Sequence, residues 1–281
     1  MLKTRMIASA RWLRSSLGAA FMLISIFLFG NAFALDQNYT AFDGLLKKHV
    51  VWNAAGVAST VNYKGFLADR AELKKVLDEF SALSKAQYDG LKRDEKLAFL
   101  INTYNAYTVE LILTKYPDLK SIKDLGSFTQ SPWKKQFFRL LGEERGLDNV
   151  EHDMIRAAGA FDEPRIHFAV VCASIGCPAL RPEAVTAAKL ESQLEDGVKR
   201  FLKDKTRNRY NAQSGKLEVS KIFDWYKVDF AKGHKGITSR EVFFGKYAEL
   251  LTDDATAQQL IKDGKVSISH LDYDWNLNDR K

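Results

Sequence analysis

Eight side chains able to do chemistry fall within 27 residues: Glu151, His152, Arg156, Arg165, His167, Cys172, Ser174 and Cys177. They include both cysteines of the chain and two of its five histidines. A thiolate beside an imidazole can attack a carbonyl, and the imidazole then returns the proton to the leaving group. Cys172 is the candidate nucleophile, His152 the candidate base and Glu151 the third member of the candidate catalytic set. The reaction class is cleavage of an amide or thioester, or acyl transfer. Asn105, Arg165 and Ser174 are the candidate substrate-binding residues, and the backbone N–H groups of residues 173–176 could receive an oxyanion.

Two other chemistries compete for the same residues. Cys172 and Cys177 are close enough in sequence to pair across a turn as a plain disulfide in an oxidising compartment. Their spacing is not that of a thioredoxin-like redox motif. His152, His167, Cys172 and Cys177 are ligand types that suit zinc, but their spacing matches no common zinc module, so no metal is assigned. The P-loop, the dinucleotide-binding glycine pattern, the G-x-S-x-G elbow and H-E-x-x-H are all missing, and no cofactor is implied.

Local patterns predict how these residues are held. Arg165–Cys172 is a nearly continuous apolar run bounded by Gly176 and Pro178, and reads as a buried strand. In a strand, His167 and Cys172 would point to opposite faces, which favours His152 as the base. His152 lies on a short helix from Asp148 to about Ala158, opened by an N-cap Asp148 and a capping Glu151. Glu151 sits about 100° from His152 around such a helix. It suits capping, or pairing with Arg156 or Arg165, better than orienting His152; Asn102 or Asn105 could orient the imidazole instead.

Asp94–Lys115 carries the clearest helical period, closed by Tyr116-Pro117 and interrupted by the amides Asn102 and Asn105. Those amides either tie the helix to a loop or serve a substrate, since buried amides need partners. Further helices are predicted over Asp36–Val51, Ala68–Leu83, Pro182–Lys205 and from the Thr238–Glu241 capping box to Leu251. Extended segments are predicted at Val61–Phe66, Phe137–Leu141, Lys216–Phe223 and Val266–His270. Helices outnumber strands without regular alternation. The class is therefore α+β, a helix-rich single domain with a small central sheet.

The chain resembles the family catalogued as domain of unknown function 547. The resemblance rests on Phe99–Ala106, Glu151–Arg156, Arg165–Leu180, Ser220–Tyr226 with Asp229-Phe230, and Tyr273-Asp274-Trp275, a core of about residues 98–275. It implies that Asn105, Glu151, His152, Arg156, His167, Cys172 and Pro178 occupy the family's motif positions. It also implies that the Cys177 position can carry serine in plant relatives, which weakens an obligatory Cys172–Cys177 bond.

The termini and composition bound the rest. Lys3, Arg5, Arg11 and Arg14 precede an uncharged run from Leu17 to Gly30 and an Ala32-Phe33-Ala34 site. This is the pattern of a cleaved secretory signal, with a run shorter than a bilayer span. Residues 1–34 are the expected signal peptide and 35–281 one globular domain, exported to the periplasm or secreted. Removing the four basic residues lowers the net charge from +7 to +3, which gives no support to a nucleic-acid partner. The basic group from Lys199 to Arg209 reads as a solvated helix face. The expected partner is a small molecule or peptide, with membrane contact only through the transient signal. The tail near Asn276–Lys281 is the one mature stretch expected to be disordered.

Overall fold

The computed structural model describes residues 35–127 and 129–280. The predicted signal peptide lies outside the described residues. Among those described, no helix is long and apolar enough to cross a membrane.

The chain folds around one helix. α1 (Thr40–His49), β1 (Val50–Trp52), β2 (Ser59–Val61), α2 (Tyr63–Ala68), α3 (Arg70–Ala82) and α4 (Lys85–Gly90) lead into α5 (Arg93–Leu113). From Leu97 to Leu113 every residue of α5 is buried, as expected of a helix enclosed on all sides rather than laid on a surface. Its start is fixed by Glu95, whose carboxylate accepts the Lys92 backbone N–H at 2.7 Å. Leu73, Val76, Leu77 and Phe80 of α3 share the apolar core with it. Val61–Phe66 is not one extended piece. β2 ends at Val61, and Asn62 caps α2 by accepting from Gly65 N–H at 2.9 Å.

β3 (Phe138–Leu140) falls in the extended segment expected at Phe137–Leu141 and pairs with β4 (Glu143–Arg145), a strand not expected from sequence, as an antiparallel hairpin. α6 (Leu190–Lys203), β5 (Arg209–Asn211), β6 (Lys216–Ser220) and α7 (Ile222–Trp225) follow. Then come α8 (Arg240–Lys246), α9 (Ala248–Leu251), α10 (Ala255–Lys262) and β7 (Ser267–Leu271). The strands make small sheets: β1 with β2, β3 with β4, and β5-β6-β7 with β6 and β7 parallel. The class is α+β and helix-rich. A second apolar cluster, with Phe168, Phe201, Phe223, Phe230 and Phe243 at its centre, joins α6 and α8 to the small three-stranded sheet. The basic group from Lys199 is not simply a solvated face, because Arg207 is buried against Asp204 and the Cys177 carbonyl.

The strand expected over Arg165–Cys172 does not form. Pro164 starts a 3-10 turn over Pro164–Phe168, and the Glu163 carboxylate accepts the Arg165 N–H at 3.1 Å. Proline suits a first helical position because it has no N–H to leave unpaired. Residues 169–172 are irregular, and Asn105 replaces a strand partner for them. Its Nδ2 donates to Ala169 O at 2.8 Å and its Oδ1 accepts from Val171 N at 3.0 Å. The run is apolar because α5 and the core surround it, not because a sheet does.

The C-terminal tail is anchored rather than disordered over residues 276–280. Leu277 N donates to Lys120 O (2.7 Å), Asn278 N to Ala173 O (3.1 Å) and Arg280 N to Val61 O (2.8 Å).

Candidate functional site

The loop after Cys172 and the C-terminal tail run side by side. Ile175 N–H and Gly176 N–H donate to Asn276 O and Asp274 O, both at 2.8 Å. A Cβ on Gly176 would lie 3.0 Å from the Asp274 N and O atoms, so only glycine permits this approach. Cys177 N–H donates to Ser174 O. These three N–H groups are therefore spent, and the expected oxyanion donors at Ile175 and Gly176 are not available. The tail places Tyr273 and Trp275 over the cysteines. Ala173, directly after Cys172, holds a left-handed φ of 62°, a strained conformation for alanine of the kind that collects at functional sites.

A cavity of about 220 Å³ opens at this junction. Cys172 and Cys177 lie at its floor. His167 and Val170 come from the irregular segment, Asp148, Glu151 and His152 from the preceding turn, and Tyr104 from α5. Trp133, Trp225, Tyr226, Tyr273 and Trp275 supply aromatic walls.

The turn that carries Glu151 and His152 is a π-helix over Asn149–Ile155, closed by Arg156 N–H donating to Glu151 O at 2.9 Å. Single π turns often occur at functional sites. The predicted capping box is absent, since the Asp148 side chain makes no cap bond. Glu151 instead points into the cavity wall with its Oε1 unpartnered.

Cys172 Sγ lies 3.2 Å from Cys177 Sγ, 3.2 Å from Tyr273 Oη and 3.5 Å from Ser174 Oγ. Donation from the Cys177 thiol, against the opposing effect of burial and with help from Ser174 and Tyr273, lowers the Cys172 thiol to about 7. Burial first, the hydrogen bond to Cys172 second and the Cys172 charge third push the Cys177 thiol well up. One sulfur is thus poised to ionise and the other to stay protonated. Both are free thiols in this structure.

His167 and Cys172 do not face opposite ways. With no strand between them, both line the cavity. His167 Nε2 lies 2.7 Å from Asp229 Oδ2, and its ring stacks on Tyr226 with centroids 3.8 Å apart. Arg156 Nε donates to the same Asp229 oxygen at 2.6 Å. Burial would raise the Asp229 carboxyl, but these two donors outweigh it and hold it well below the usual range. Burial lowers His167, so its imidazole is neutral at neutral pH. With Nε2–H given to Asp229, Nδ1 is the acceptor nitrogen. His152 is more exposed, with a side chain 40% accessible, and sits beside Asp148 at 3.6 Å and against Arg156.

The remaining predicted residues are placed elsewhere. Asn102 spends its amide on Val185, donating to the carbonyl at 2.7 Å and accepting from the N–H at 3.0 Å. Neither Asn102 nor Asn105 orients an imidazole. Arg165 does not line the cavity; it is buried in ion pairs with Glu163 (2.7 Å) and Glu191 (2.8 Å). Arg156 and Arg165 are thus both engaged by carboxylates other than Glu151. Ser174 is buried beside Cys172. Among the described residues, no three His, Cys, Asp or Glu side chains are placed to hold a metal ion.

Residues 88–202 match the family model described as "Protein of unknown function, DUF547". Over that stretch the chain is similar to this family. The match includes α5, the π turn and the cysteine loop, and so bears out the resemblance seen in the sequence. No curated protein and no solved structure matches the chain. Beyond the matched residues, Trp225, Tyr273 and Trp275 complete the cavity from the C-terminal third, and Asp229 holds His167 from behind it. None of the four was singled out as a site residue from sequence. Their signal lay in the Ser220–Tyr226, Asp229-Phe230 and Tyr273–Trp275 blocks, which are dense in aromatics and acids.

Proposed function

We propose that the protein is an exported cysteine-type hydrolase or acyltransferase acting on an amide or thioester, with Cys172 as nucleophile. The observation that carries the reading is the Cys172 thiol, set in a cavity with three hydrogen-bonding groups around its sulfur. Cys172 Sγ attacks the acyl carbon, and the C–N or C–S bond breaks to leave a thioester on the enzyme. The leaving group takes a proton from an imidazole, and water or an acceptor then cleaves the thioester. His152 was the base expected from sequence. His167, held by Asp229, is the better oriented of the two imidazoles, and its neutral form accepts a proton at Nδ1.

The test is acylation by p-nitrophenyl acetate followed by intact mass. The reading expects one acetyl group on the native chain and none on Cys172→Ser. Slowed deacylation in His167→Gln, with a smaller effect in His152→Gln, assigns the imidazole. A native chain that is never acylated overturns the proposal.

The Sγ–Sγ distance of 3.2 Å favours one second reading, a non-catalytic binding protein whose Cys172–Cys177 disulfide stiffens a ligand loop. That reading expects equal damage from Cys172→Ser and Cys177→Ser. Export rests on the sequence of residues 1–34, and a mature N-terminus at Leu35 is the expected product. The expected partner is a small molecule or peptide rather than nucleic acid.

A further inference from the structure

The cavity wall holds a carboxyl with one oxygen left open. Glu151 is only 4% exposed, yet its Oε1 has no hydrogen-bond partner. A buried carboxylate oxygen without a donor is costly, so a group from outside the fold is needed there. The nearby cations are committed elsewhere: Arg156 to Asp229, and Arg165 to Glu163 and Glu191. After burial, the Glu151 charge is the next cause raising the hydroxyls of Tyr104 and Tyr226, and a hydrogen bond between Tyr226 and the Glu151 carboxyl adds to the latter, which leaves Oε1 as the open position.

The surroundings suit a cation. Trp225 and Trp275 stack with centroids 5.6 Å apart, and Tyr273 lies 4.5 Å from Trp275. Lys123 Nζ already sits 3.7 Å over the Trp275 ring, so this aromatic group holds one cation from the chain itself. Asp148 adds a second, half-buried carboxyl to the wall. Aromatic faces attract any cation, but an unpartnered oxygen needs a hydrogen-bond donor, and a protonated amine supplies donor and charge together where a quaternary ammonium supplies charge alone.

We propose that this cavity binds a protonated primary amine, with Glu151 accepting its N–H and the Trp225–Tyr273–Trp275 group covering its charge. Resting on the acyl-transfer reading, this makes the substrate an amide or thioester that carries a primary ammonium group. The cavity of about 220 Å³ admits a short alkylammonium arm.

Calorimetry with the mature chain, run at about pH 8, where an alkylamine is still protonated, tests it with n-butylammonium, tetramethylammonium and 1-butanol. n-Butylammonium should bind at least about tenfold more tightly than either of the others. Glu151→Gln should erase that preference, and Trp225→Leu, at an exposed position, should reduce it. Equal binding of n-butylammonium and 1-butanol, or an unchanged preference in folded Glu151→Gln, overturns the proposal and leaves water as the partner of Oε1. If Glu151→Gln does not fold, an unchanged preference in Trp225→Leu overturns it. In Cys172→Ser the preference for n-butylammonium over 1-butanol should persist, weakened at most by loss of the nearby thiolate. Binding without acylation of Cys172 would therefore remove the nucleophile and keep the amine site; acylation without amine preference would do the reverse.

Discussion

The Tyr273 hydroxyl lies 3.2 Å from the Cys172 sulfur, across 101 residues of chain. The tail that carries Tyr273 is fixed by backbone bonds to Ile175 and Gly176, so the donor is positioned independently of any ligand. Tyr273→Phe removes one hydrogen bond to the thiolate and keeps the ring. The Cys172 pKa should rise by about 1 unit, the equivalent of a charge-assisted hydrogen bond of roughly 1.4 kcal/mol. The pH dependence of iodoacetamide labelling reads this, and an unshifted profile would remove Tyr273 from the account.

Asn105 holds the segment before Cys172 with two buried hydrogen bonds. Asn105→Ala strands the Ala169 carbonyl and the Val171 N–H, and should cost about 2–4 kcal/mol in urea denaturation. Asn102→Ala should cost a similar amount through Val185. Only Asn105→Ala should also change Cys172 labelling, because only that amide supports the cysteine loop. A loss below about 1 kcal/mol for either would show that the loops hold without them.

Arg165 illustrates a structural role at a position first taken for substrate binding. Its guanidinium is buried against Glu163, whose side chain is buried too. Burial opposes the guanidinium charge, but bonds from Glu163 and Glu191 outweigh it and raise its pKa. Arg165→Met leaves Glu163 without its main partner and should destabilise the fold by about 3–5 kcal/mol. Cys172 labelling in the folded fraction should be unchanged. A slowed labelling rate with intact stability would return Arg165 to the site.

The His167–Asp229 pair predicts how stability depends on acid. Burial lowers the folded pKa of His167, so the unfolded chain takes up a proton first as pH falls below about 6.5. Asp229 is also depressed in the fold, its donors outweighing burial, so its contribution holds above about pH 3.9 and fades below it. Both effects make the unfolded state bind more protons, so stability rises with pH across each range. His167→Gln should flatten the upper part of that slope, starting below about pH 6.5, in urea midpoints measured against pH. An unaltered slope would mean that His167 is charged in the fold.

Where the sequence was legible, local rules were sufficient. The period of Leu97, Leu100, Ile101 and Tyr104 places α5, and the extended segment at Phe137–Leu141 contains β3. The cluster from Glu151 to Cys177 was legible from residue types alone, and the cavity does form there. What failed was the geometry between its members. A continuous apolar run such as Ile166–Val171 is compatible with a strand or with any enclosed segment. The deciding bonds come from Asn105, more than 60 residues away. Asp229, Tyr273 and Trp275 reach the site only through tertiary contacts that no local pattern encodes. The anchored tail fails as a disorder expectation for the same reason: its polar sequence satisfies itself against Val61, Ala173 and Lys120.

The most direct test of the central claim is the rate of Cys172 alkylation against pH, on exported protein purified without reductant. The account predicts a free thiol that labels with a midpoint near 7, well below the ~8.5 of an ordinary cysteine. A midpoint at or above ~8.5, or labelling that appears only after reduction of a Cys172–Cys177 disulfide, would contradict it.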